Sequence, residues 1–134
     1  MTAARTAMVT TMLAAGAVLG TPGPAAAMGP GVAPRPKTDL VLSYMADAGY
    51  AAAVTLTCDP AGGAHPKPAK ACAALTKAGG DPGRLKPAAT LCTLEYAPIT
   101  AQVTGTWRGA RVNWTKTFPN GCDLTRATGV VFRF

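Results

Sequence analysis

Apolar residues recur along the chain in short runs, mostly with a period of two, and Gly and Pro separate the runs. Leu40-Val41-Leu42 is a compact apolar run and reads as a strand. Tyr50 to Thr57 reads as a second, ending in Val54-Thr55-Leu56-Thr57, where β-branched residues alternate as on a half-buried pleat. Cys58 closes it, and Asp59-Pro60-Ala61-Gly62-Gly63 turns the chain. Pro68 to Lys77 predicts a short helix, with Pro at its start and Gly79-Gly80 as its stop. Asp81-Pro82-Gly83 starts a further turn. Ile99 to Trp107 alternates through Val103, Thr104 and Thr106, and Arg108-Gly109 is a tight turn into a return strand, Ala110 to Phe118, with Val112 and Trp114 on one face. Asn120-Gly121 breaks that strand; Cys122 to Ala127 reads as a short helix and Val130 to Phe134 as a terminal strand. The predicted class is α+β: a five-stranded antiparallel sheet with two short helices on one face, held by two disulfides.

The first residues obey another rule. Arg5 is the only charge before Arg35, and Ala7 to Leu19 is small and apolar. That stretch is shorter than the ~20 residues a membrane-spanning helix needs. Pro22 and Pro24 break the chain after it, and Ala25-Ala26-Ala27 supplies the small residues of a cleavage site. Residues 1–27 therefore read as a secretory signal peptide, not a membrane anchor. Residues 28–38, rich in Pro and Gly, read as a flexible arm, and residues 39–134 as the folded domain. The expected location is secreted and extracellular.

Export changes the meaning of the cysteines. The chain has four, at 58, 72, 92 and 122, with no Cys-x-x-Cys pair for zinc or redox chemistry. In an exported chain two structural disulfides are the default, and spacing alone leaves all three pairings open.

Catalytic equipment is missing. The single Ser, Ser43, lies in a predicted strand, outside any Gly-x-Ser-x-Gly elbow. The single His, His65, reads as a surface loop residue. Asp59, Asp81 and Asp123 read as turn or cap residues, and no Gly-rich phosphate loop occurs. No cofactor or metal is expected. The net charge is +7, yet the basic residues are scattered, so nucleic acid is a poor partner.

One segment is different. Leu91-Cys92-Thr93-Leu94-Glu95-Tyr96-Ala97-Pro98 lies between a Pro-rich stretch and a strand. Cys92 anchors one end and Pro98 stiffens the other by fixing φ. Leu94 is a large apolar residue in a stretch without a period. A restrained backbone presenting an apolar side chain is what a substrate-like inhibitor needs.

Over about residues 39–134 the chain resembles the Streptomyces-type subtilisin inhibitors, small secreted inhibitors of serine proteases. The resemblance rests on Val54-Thr55-Leu56-Thr57-Cys58, Ala71-Cys72-Ala73, Gly79-Gly80-Asp81, Cys92 to Pro98, Trp107-Arg108-Gly109-Ala110-Arg111-Val112, Phe118-Pro119-Asn120-Gly121-Cys122 and Val131 to Phe134. It implies adjacent pairing, Cys58–Cys72 and Cys92–Cys122. It implies a reactive bond two residues past the third Cys, Leu94–Glu95, with Leu94 entering the protease's primary pocket. Thr90, Leu91, Cys92, Thr93, Tyr96, Ala97 and Pro98 complete the reactive loop, and Asn120 braces it from behind. Targets would be subtilisin-like and chymotrypsin-like proteases. The family also implies a homodimer, sheet against sheet, with Val41 and Trp107 at the interface. Three positions depart from the family: Thr93 where Pro is common, Glu95 where an apolar or small residue is usual, and Ala97 where Asp is usual. They bear on target range and strength more than on function.

Overall fold

The computed structural model describes residues 37–134, together with Gly20, Gly23 and Gly31. The chain falls into two units, residues 1–31 and 32–134, and the fold is that of the second. The signal-peptide reading and nearly all of the arm lie outside the described residues.

Four strands form one antiparallel sheet: β1 (Thr38–Ala46), β2 (Ala51–Cys58), β3 (Ile99–Trp107) and β4 (Ala110–Phe118), in the spatial order β2-β1-β3-β4. Strands β3 and β4 begin and end where the alternation does. Their turn places Arg108 at φ 46° and Gly109 at φ 88°, the left-handed pair that a two-residue hairpin needs. Arg108 tolerates this because its N–H donates to Thr38 Oγ1 at 3.0 Å and its Nε pairs with Asp59 at 3.3 Å. Strand β1 is longer than the run Leu40–Leu42 because Ser43 to Ala46 continue to pair along the sheet.

Helix α1 (Pro68–Lys77) buries Ala71 and Leu75, four residues apart and so on one face. It stops where Gly79 (φ 66°) and Gly80 (φ 81°) enter the left-handed region, with Gly80 N–H donating to the Leu75 carbonyl at 2.8 Å. Helix α2 (Gly121–Thr128) is capped by Asn120, whose Oδ1 accepts from Asp123 N–H at 2.8 Å. A single 3-10 turn, Pro82–Arg84, follows α1; Asp81 Oδ1 accepts from Gly83 N–H to start it.

The fifth strand expected at Val130–Phe134 is absent. Gly129, at φ 58°, ends α2 and leads into a 3-10 helix, Gly129–Phe132. Val131 and Phe132 are adjacent in sequence and both buried, which a strand with one open face does not permit. Phe134 stacks on Tyr44 instead of pairing with a sheet edge.

One core lies between the sheet and the helices. Leu40, Leu42, Leu56, Leu75, Val103 and Val131 are fully enclosed in it. His65, read from sequence as a surface residue, is also inside at 3% exposure. Both ring nitrogens have partners there: Nδ1 accepts from Lys67 N–H at 3.0 Å and Nε2 meets the Val131 carbonyl at 3.1 Å. The imidazole bridges β2's exit loop to the C-terminal turn, so its role is architectural.

Candidate functional site

Residues 85–98 connect the 3-10 turn to β3 without regular structure. Three large apolar side chains stand out from this segment: Leu91 is 98% exposed, Leu94 103% and Tyr96 82%. A folding argument alone would bury them. Three large apolar side chains left in water on one short segment make it the candidate binding surface.

The backbone beneath these side chains is tied down on both sides of Leu94. On the N-terminal side a disulfide joins Cys92 to Cys122 at the start of α2, and Ala88 N–H donates to the Arg126 carbonyl at 2.9 Å. On the C-terminal side Ala97 N–H donates to the Pro119 carbonyl at 2.8 Å, and the Pro98 carbonyl accepts from Asp47 N–H at 3.0 Å. Between these anchors sits Asn120, 5% exposed. Its Nδ2 donates to the Glu95 carbonyl at 2.8 Å and to the Thr93 carbonyl at 3.3 Å. The two acceptors flank Leu94, so one amide group holds the backbone on either side of that residue. The same side chain caps α2 through Oδ1, so the brace is registered to the helix.

The second disulfide, Cys58–Cys72, ties the end of β2 to α1, away from the loop. No free cysteine is present among the described residues, and no group of His, Cys, Asp and Glu there could hold a metal ion. No helix among them is long and apolar enough to cross a membrane.

The family model described as "Subtilisin inhibitor-like" matches residues 37–120. The chain belongs to the subtilisin inhibitor-like family. Relatives agree along its length. It is 43% identical over 139 aligned positions to the subtilase-type protease inhibitor of Streptomyces fradiae, covering 98% of this chain and 97% of that one. It is 48% identical over 93 residues to subtilisin inhibitor-like protein 1 of Streptomyces cacaoi, covering 66% and 84% respectively. Its fold is similar, with a TM-score of 0.63 and 29% identity, to Streptomyces caespitosus sermetstatin in a crystal structure with Bacillus licheniformis subtilisin; 73% of this chain and 99% of that one are covered.

Within this subtilisin inhibitor-like chain, the residues named for the loop lie together. Thr90, Leu91, Thr93, Leu94, Glu95, Tyr96 and Ala97 are exposed, Cys92 and Pro98 are half-buried, and Asn120 lies beneath them. Val41 and Trp107 do not share a surface. Val41 pairs with Thr104, and Trp107 lies three residues further along β3, which puts it on the opposite face of the pleat. Trp107 is 7% exposed and sits against Gly80, where any Cβ would collide with its ring. It belongs to the core of one chain, so its assignment to an interface is corrected. Val41 is 43% exposed on the face that no helix covers.

Sequence reasoning missed the anchors at Asp47, Pro119 and Arg126. They act through backbone groups, and the identity of a side chain carries no signal for that.

Proposed function

We propose that this chain is a secreted inhibitor of subtilisin-like serine proteases that offers Leu94–Glu95 as its reactive bond. The observation that carries this is the Asn120 amide bridging the carbonyls of Thr93 and Glu95 beneath a fully exposed Leu94. A braced segment that holds Leu94 outward between its tethers can enter a protease cleft as a substrate does. Little ordering entropy is then lost, and this is one reason preorganised loops bind tightly.

The chemistry depends on the tethers. The protease serine attacks the Leu94 carbonyl while backbone donors stabilise the oxyanion. In an ordinary peptide the released amine diffuses away. Here the leaving side is held by Ala97 to Pro119 and by Asn120, and the acyl side by Cys92–Cys122. The amine of Glu95 stays close to the acyl-enzyme, and a high effective concentration favours resealing the bond. Disulfide Cys92–Cys122 also keeps the two pieces of a cut chain covalently joined.

Leucine at the reactive position suits the apolar pockets of subtilisin-like and chymotrypsin-like enzymes and not the acidic pocket of trypsin. Residues 1–27 act as the export signal in this reading, with residues 28–38 as the arm left after cleavage. The uncovered sheet face pairs with a second copy to give a homodimer. Three successive cross-strand rows there, through Val41, Ser43 and Met45, contain no charged residue.

The test is a titration of subtilisin with the mature, disulfide-intact protein, in parallel with Leu94→Lys. Wild type is expected to abolish subtilisin activity at one site per chain and to spare trypsin. The Lys variant is expected to gain trypsin inhibition. Unchanged selectivity in the variant would show that the reactive residue lies elsewhere.

A further inference from the structure

The reactive loop carries a single charge, and it sits immediately after the reactive bond. Glu95 is the only side chain between Pro87 and Pro98 that is charged at neutral pH, and the only glutamate in a chain of net charge +7. It is exposed. No hydrogen bond and no ion pair engages its carboxylate among the described residues, whose two ion pairs are Arg108–Asp59 and Arg126–Asp123. The nearest donor in the brace is occupied as well. Asn120 Nδ2 donates to the backbone carbonyls of Thr93 and Glu95, which uses both its hydrogens. The Glu95 backbone is thus fixed while its carboxylate has no partner in its own molecule.

That arrangement has a consequence at an interface. A substrate-like loop delivers residue 95 to the leaving-group side of the protease cleft, where water is largely excluded. A carboxylate taken there without a partner loses hydration and gains nothing in return. Facing a lysine or arginine it gains a charge-assisted hydrogen bond, and facing an acidic group it is repelled. The brace sharpens the discrimination, because a fixed backbone limits how far the side chain can swing into solvent.

From this we infer that Glu95 is a charge selector, directing the loop to serine proteases with a cationic leaving-group side and away from those acidic there. The inference rests on Leu94–Glu95 being the reactive bond. The partner is a protease of stated electrostatics, and Leu94 sets the pocket while Glu95 sets the sign of the surface beside it.

The experiment uses the disulfide-intact mature protein and its Glu95→Gln and Glu95→Lys variants. Each is titrated against subtilisin and two subtilisin variants bearing an introduced Lys or an introduced Asp on the leaving-group side. Wild type is expected to bind the Lys enzyme at least about tenfold more tightly than the Asp enzyme, a difference of ~1.4 kcal/mol. Glu95→Gln should level the two, and Glu95→Lys should reverse their order. Raising the salt to roughly molar strength should leave most of the spread in place, because a close pair in a water-excluded interface is screened much less than exposed charges. Full inhibition by all three proteins with the same ranking of enzymes overturns the selector and leaves the inhibitor reading intact. Absence of inhibition of any enzyme by wild type overturns the reactive-bond reading and the selector with it.

Discussion

Asn120 holds two structures at once, and Asn120→Ser separates them. The serine hydroxyl still accepts from Asp123 N–H, because Ser and Asn are equivalent helix caps. It is too short to reach the loop, so the bonds to the carbonyls of Glu95 (2.8 Å) and Thr93 (3.3 Å) are lost. At about 0.5–1.5 kcal/mol net for each hydrogen bond, the loop loses ~1–3 kcal/mol of order. Both bonds are partly buried beneath the exposed segment, and the space the shorter side chain leaves lets water stand in for the lost amide. If that order must be restored on binding, the dissociation constant for subtilisin rises by roughly 5- to 150-fold. The comparison variant is Asn120→Ala, which loses the cap as well and costs a further ~1 kcal/mol of folding stability. For a domain of this size that is about 4–8 °C in Tm. Titration against subtilisin gives the binding change, and thermal melts give the cap. Mass spectrometry after long incubation gives the rate of cutting at Leu94–Glu95. The cut chain gains one water and separates only on reduction, since Cys92–Cys122 spans the cut. An Asn120→Ser protein that binds as tightly and is cut as slowly as wild type would refute the brace.

Three further outcomes are expected. Replacing Cys92 and Cys122 together by Ala opens a loop with sequence separation 30 and lowers stability by about 3–4 kcal/mol on the chain-entropy model. A denaturant titration reads that loss, and the loop should pass from inhibitor to substrate. Gly80→Ala places a Cβ against the Trp107 ring at a φ of 81°, and should cost more than the ~1 kcal/mol of a simple positive-φ substitution. Unfolding midpoints unchanged from wild type would show that the Gly80–Trp107 contact relaxes freely. Val41→Asp puts a charge among the uncharged rows of the open face. Sedimentation at micromolar concentration should give dimer for wild type and monomer for the variant, whereas a wild-type monomer would end the proposed sheet-to-sheet pairing.

Much of the fold was legible because its elements announce themselves locally. Strands β3 and β4 carry their own alternation and turn. Helix α1 has Pro at its first position and glycines after its last, and the structure keeps those bounds. The exposed loop was legible as a stretch without a period, anchored by Cys92 and stiffened by Pro98. Val130 to Phe134 misled, since an apolar, β-branched run suits a buried 3-10 turn as well as a strand. Only the space left beneath the sheet chooses between them. His65 misled similarly. A polar residue in a Gly- and Pro-rich loop reads as surface until two backbone groups are seen to satisfy its ring.

Sequence by itself determined the period of β2, β3, β4 and α1, the four cysteines, and the leucine and the lone glutamate beside the candidate bond. Those properties belong to residues near one another along the chain. Tertiary structure decided which cysteines meet, which face of the sheet Trp107 joins, and how Asn120 reaches the carbonyls of Thr93 and Glu95, 27 and 25 residues earlier. Those relations depend on how the sheet and helices pack. Much of the loop's support is donated by backbone groups, which are the same in every residue and leave no mark on the sequence.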